Sequence, residues 1–96
     1  MVEVRHTRQA HEDIGALWRE GYERWGEAQA DAYYDLLTAA IERLAEFPEM
    51  GRVREDVRAG YRCLTVRQHL VFYTLEGERV MIQRVLRAET DYERLM

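Results

Sequence analysis

The sequence predicts an α+β domain built as an N-terminal strand, an antiparallel helical hairpin and a three-stranded antiparallel meander. Three observations carry that expectation. Apolar residues recur at helical spacing from residue 8 to residue 46, with one interruption at Gly26. The segment FPEMGR, residues 47–52, holds the only proline and ends that pattern. Beyond it, three short runs rich in Val, Ile, Tyr, Phe, Leu and Thr are separated by turn-forming breaks. A chain of 96 residues supports one hydrophobic core, so residues 1–96 are expected to form a single domain.

Residues 2–5 alternate apolar and charged side chains and read as the first strand. Thr7 offers a helix N-cap, with Glu12 and Asp13 in the early turns where carboxylates suit the helix dipole. From Arg8 to Trp25, the residues Ala10, Ile14, Leu17, Trp18, Gly21, Tyr22 and Trp25 share one helical arc. Trp18 and Tyr22, with His11 one turn below, occupy one flank of it, and at least one of the rings is expected in the core. Residues 27–46 resume the pattern with Ala30, Tyr33, Tyr34, Leu37, Ala40, Ile41 and Leu44, while Asp31, Asp35, Glu42 and Glu46 form a solvated face. So short a break between two helices makes them antiparallel neighbours. Proline lacks a backbone donor and its predecessor avoids helical angles, so the second helix should stop near Phe47 and Gly51 should allow a reversal. The strands are expected at residues 60–67, 69–75 and 79–86, the last two joined by the turn Glu76, Gly77, Glu78. Uninterrupted alternation would set Val80, Ile82, Arg84 and Leu86 on one face against Met81, Gln83, Val85 and Arg87.

The net charge is −4, and every one of the 14 basic residues is arginine. Residues 1–50 carry the acidic excess, whereas residues 51–96 carry 9 arginines against 7 acids. An acidic domain without a basic cluster is not expected to bind nucleic acid by itself, because such affinity comes mainly from neutralising phosphates. The chain has no serine, no glycine-rich phosphate loop and no metal-ligand spacing among His6, His11 and His69. Neither a cofactor nor a metal is expected. Cys63 falls mid-strand and reads as a buried structural thiol. There is neither a leader pattern nor an apolar run of membrane-spanning length, so no membrane partner is expected and the location expected is cytoplasmic.

Four ordered segments carry a family resemblance: WGEAQADAY at residues 25–33, LAEFPEMGRVRED at 44–56, GYRCLTVRQHLVFY at 60–73 and IQRVLRAETDY at 82–92. Together they resemble the ParE branch of the RelE/ParE toxins, the toxin halves of bacterial type II toxin–antitoxin pairs. The resemblance implies a stoichiometric inhibitor of DNA gyrase with no catalytic residue, neutralised by a cognate ParD-like antitoxin of the ribbon-helix-helix kind. The RelE branch cleaves mRNA on the ribosome, and that activity is the alternative; a decayed, non-toxic antitoxin-binding module is another. Against the nuclease pattern, Leu64 stands two residues after Arg62, the early position of the next strand is His69 or Leu70, and Arg87 follows RVL where a histidine is common. The target-facing candidates are Arg62, Arg67, His69, Arg84, Arg87 and Tyr92. Trp18, Tyr22 and Tyr34 are candidates for an antitoxin groove. Trp25, Gly26, Pro48, Gly51 and Arg52 are read as structural motif residues, with Arg52 also able to face a partner.

Overall fold

The computed structural model describes residues 1–95, with Glu93 described by its backbone alone. Strand β1 (Glu3–His6) leads into helix α1 (Arg8–Trp25) and helix α2 (Glu27–Glu42), then β2 (Arg52–Val53), β3 (Tyr61–Val66), β4 (His69–Glu76), β5 (Arg79–Arg87) and a final turn of helix, α3 (Tyr92–Leu95). Sheet order is β1-β5-β4-β3-β2. β1 runs parallel to β5 and the remaining pairs are antiparallel. The expected α+β order is present, with β2 and α3 as additions. Both are too short to leave a periodic signal in sequence.

Thr7 caps α1 as its side chain predicts, its Oγ1 accepting a 3.0 Å bond from the Ala10 amide. At Gly26, a φ of 90° lets the chain reverse between the helices, and its amide donates to the Tyr22 carbonyl. Gly21 and Ala30 meet at the crossing, where a Cβ on Gly21 would lie 3.5 Å from that of Ala30. α2 stops four residues before the expected Glu46, and residues Arg43–Ala45 tighten into a single 3₁₀ turn. Pro48 bars helical geometry at its predecessor, and the last turn meets its carbonyls by i→i+3 bonds.

The hairpin lies on one sheet face. Ala10, Ile14, Leu17, Leu37, Ile41 and Leu44 pack there against Val66, Val71, Tyr73, Val80, Ile82 and Val85. On the other face Tyr61, Cys63, Phe72 and Leu86 gather beneath Val57, Leu70 and Tyr92. Burial pushes the Cys63 thiol up, which keeps it protonated. Val85 and Leu86 thus belong to faces opposite to those that uninterrupted alternation assigns. The cause is a β-bulge: Phe72 pairs with Arg84 but Tyr73 pairs with Ile82, leaving Gln83 as the extra residue. Neither Trp18 nor Tyr22 belongs to the core. Trp18 is half-buried and Tyr22 is 50% exposed, because the close Gly21–Ala30 approach puts the buried stripe on Ala10, Ile14, Leu17 and Gly21. Among the described residues, no helix is long and apolar enough to cross a membrane.

The FPEMGR joint is clamped by one phenol. The hydroxyl of Tyr73, a fully buried residue, donates to the Pro48 carbonyl and accepts from the Gly51 amide, both at 2.8 Å. Arg62 reaches the same loop, donating to the Gly51 carbonyl at 2.8 Å and to the Glu49 carbonyl at 3.2 Å.

Candidate functional site

Two elements that are remote in sequence frame a groove. β3 and β4 are joined by the two-residue turn Arg67–Gln68, since Val66 pairs directly with His69. That turn stands opposite the α1–α2 reversal, and between them opens a groove of about 400 Å³. Leu17, Ala30, Tyr33 and Leu36 line it with Trp25, while Glu20, Arg24, Arg67 and Arg87 supply its charges. Three cations against one carboxylate make the groove net positive within an acidic chain.

His69 opens β4 opposite Arg87 of β5. Its Nδ1 lies 2.7 Å from the Tyr33 hydroxyl, which also donates to the Val66 carbonyl at 3.2 Å. One phenolic proton serves one acceptor, so with that proton on Val66 the histidine must donate from Nδ1. This assignment, made from the bonding pattern, leaves Nε2 as a lone pair. Burial pushes the Tyr33 hydroxyl up. Burial first, and then the nearby Arg87 charge, hold His69 below the usual histidine range. The imidazole is therefore neutral at pH 7. In the unfolded chain the ring binds its proton at about pH 6.5, and the folded site binds it only at lower pH. Stability is therefore expected to be full above about pH 6.5 and to fall as the pH drops toward the folded value. Thermal melts from pH 7.5 to 5.5 should show a declining Tm, with a shallower decline in His69→Gln. An equal slope in the two proteins would show that His69 is not responsible. His6, lowered mainly by burial and then by His11, contributes in the same sense and remains in the variant.

The six target-facing candidates do not form one patch. Arg67, His69 and Arg87 meet at the groove. Arg62 braces the joint, and Arg84 forms a fork on Asp13 of α1, Nε at 2.8 Å and Nη2 at 3.1 Å. Arg87 also reaches Glu89 at 2.6 Å and Glu20 at 3.7 Å. Tyr92 packs against Phe72 with the rings tilted by 48° and accepts a 2.9 Å bond from Arg54, whose guanidinium is paired with Asp56.

The aromatic candidates also separate from the groove. Trp18 donates to the Asp31 carboxylate at 2.8 Å and stacks on Tyr22, which puts both rings on the α1 flank facing α2. The groove opens on the flank bearing Glu20 and Arg24, roughly a third of a turn or more away. Neither Trp18 nor Tyr22 lines it, and Tyr34 is an exposed residue outside its lining. Trp25 does line it, 57% exposed beneath the Arg24 guanidinium. Arg52 is exposed on the edge strand β2. Sequence reasoning missed Tyr33, Arg24 and Leu36 as groove residues, since helical spacing marks a buried face but not where a distant turn stops covering it. Among the described residues, no cluster of His, Cys, Asp and Glu could hold a metal ion.

Comparison with known proteins agrees with the sequence pattern. The family model for the ParE toxin of the type II toxin–antitoxin system parDE matches residues 4–92. Toxin ParE1 of Caulobacter vibrioides is 44% identical over 86 residues, covering 90% of this chain and 88% of that protein. Toxin ParE1 of Mycobacterium tuberculosis is 39% identical over 87 residues, covering 90% and 87%. In fold, the chain is similar to a chain of the chromosomal ParDE system from P. aeruginosa, with a TM-score of 0.83 at 22% identity over 93% of this chain and 98% of that one. The chain belongs to the ParE family of toxins of type II toxin–antitoxin systems.

Proposed function

We propose that the protein is a stoichiometric inhibitor of DNA gyrase, held inactive by a ParD-like antitoxin. Membership of the ParE family supports the target class. The observation that carries the non-enzymatic reading is the state of the strand arginines. Cleaving RNA needs a base, an acid and cations free to meet a phosphorane. Arg62 and Arg84 are instead spent on backbone carbonyls and on Asp13, and the open sheet face is filled by Tyr61, Cys63, Phe72 and Leu86.

The groove is the surface we assign to the antitoxin, through helix-in-groove packing. β3 adds a second opportunity, since β2 pairs only with Arg62 and Cys63 and, among the described residues, no strand covers the outer edge of Leu64, Thr65 and Val66. An antitoxin seated there covers Arg67 and Arg87, the cations we assign to the target surface, and so silences the toxin by masking. Titrating purified protein into a gyrase supercoiling assay should give inhibition that saturates near one toxin per gyrase subunit and is reversed by antitoxin. The same preparation should leave ribosome-bound mRNA intact. Codon-positioned mRNA cuts with gyrase unaffected would replace this reading with the ribonuclease one.

A further inference from the structure

Two of the hairpin turns in this sheet pose the same backbone problem, and the chain solves them differently. The β4–β5 turn has two residues, Gly77–Glu78, between the paired Glu76 and Arg79, and Gly77 takes a φ of 66°. The β3–β4 turn also has two residues, and its first, Arg67, takes a φ of 53°. Glycine adopts that region freely, whereas a side chain there crowds its own backbone. Among the described residues, Arg67 is the one non-glycine residue with positive φ.

Among the described residues, no side-chain hydrogen bond or ion pair offsets that strain. Arg67 makes no hydrogen bond or ion pair among the described residues, in contrast to Arg54, Arg62, Arg84 and Arg87. Its surroundings differ from those of Gly77 in one respect that matters. A side chain on Gly77 would meet nothing within 4 Å, whereas Arg67 lines the groove beside Tyr33, His69 and Arg87. Residues held in sparsely populated backbone regions cluster at functional sites.

We propose that Arg67 is the specificity-determining residue of the groove, held in a strained turn to receive a carboxylate from an acidic, amphipathic segment of the antitoxin. This rests on the antitoxin reading above. Such a segment matches the groove on both counts: an apolar side chain seats on Leu17, Ala30 and Leu36, and an Asp or Glu one helical turn away meets the guanidinium. The positive groove on an acidic chain favours an acidic partner and rejects a basic one. A guanidinium holds a carboxylate through two parallel bonds, which lysine cannot reproduce.

The test uses the full-length chain and the antitoxin encoded beside its gene. Dissociation constants and melting temperatures are measured for the wild type, Arg67→Gly, Arg67→Lys and Arg19→Ala, the last an exposed arginine outside the groove. Arg67→Gly should bind at least about tenfold more weakly, the loss expected for one charge-assisted pair. The free variant should nevertheless melt higher, by about 4 °C for a domain this size. Arg67→Lys should bind more weakly than wild type without the gain in Tm, and Arg19→Ala should match wild type. Unchanged affinity in Arg67→Gly overturns this inference and leaves the antitoxin reading intact. A fall in Tm would show that Arg67 serves the fold, and also overturns it. A wild-type chain that binds no antitoxin overturns both. A self-dimer that dissociates in Arg67→Gly would give the groove to a second copy, which is a third way for the proposal to fail.

Discussion

Replacing Gly51 by alanine is expected to destabilise the domain by about 3 kcal/mol, a large share of the roughly 5–15 kcal/mol that holds such a domain together. The magnitude follows from the geometry of the joint. A Cβ at Gly51 would lie 2.6 Å from both Cε1 and Oη of Tyr73 and 3.0 Å from the Cys63 carbonyl. Tyr73 cannot yield, since it is fully buried and its hydroxyl is bonded on both sides. Overpacking a tight site costs about 1–3 kcal/mol, and losing the bonds to Pro48 and Gly51 leaves buried polar groups unpaired at a further 1–3 kcal/mol. Urea unfolding would measure it, and a midpoint within experimental error of wild type would rule the clamp out. Tyr73→Phe supplies the comparison. It removes the two hydrogen bonds without inserting an atom, so it should cost less than Gly51→Ala. The double variant should cost less than the sum of the two, because both disturb the same contact.

That clamp shows what the sequence made legible and what it did not. The place of Pro48 and Gly51 between two periodicities marked the joint, and the backbone chemistry of Pro48 sufficed for the helix stop; Gly51 is needed for the close approach of Tyr73 and not for a positive φ. The partner could not be found the same way. Tyr73 is 22 residues beyond Gly51 in a run of buried residues, and nothing local distinguishes it from Phe72 until the strands pair. The groove divides along the same line. Helical spacing identified Leu17, Gly21 and Ala30 as an inward face, and β-rich runs located the break between the two strands but kept Arg67 in the first of them, whereas β3 ends at Val66 and Arg67 opens the turn. Their meeting depends on how far β3 and β4 extend past the helical hairpin, which is a property of the packed sheet. The bulge at Gln83 is the sharpest case. Alternation is a local rule, and one extra residue inverts it for everything downstream. Arg84, Val85, Leu86 and Arg87 all changed faces for that reason.

Asp13 explains why the bulge is stable, and Asp13→Ala is the variant expected to undo it. β1 pairs with β5 only as far as Ile82, so among the described residues no strand covers the edge of β5 beyond that point. The start of α1 takes over. The Thr7 amide and hydroxyl donate to the carbonyls of Ile82 and Gln83, and the Asp13 carboxylate accepts from the Val85 amide at 2.9 Å. The same carboxylate holds the Arg84 fork, whose pKa it raises further. Arg84 and Asp13 side chains are only 14% and 15% exposed, so solvent screens the pair little. Truncating Asp13 strands a guanidinium and a backbone donor together, at about 3 kcal/mol. Asp13→Asn, which keeps one acceptor but loses the charge, should fall between wild type and Asp13→Ala. Hydrogen exchange separates this account from a general loss of stability. The Val85 amide should lose protection in Asp13→Ala beyond what the global change requires, while the amides of β3, which Asp13 does not touch, should follow global unfolding alone. If Val85 stays as protected as its neighbours, the edge is satisfied by some other group and the carboxylate is not what fixes the bulge. Pairing Asp13→Ala with Arg84→Met should recover part of the loss, because the uncompensated charge is gone and only the Val85 donor remains unmet.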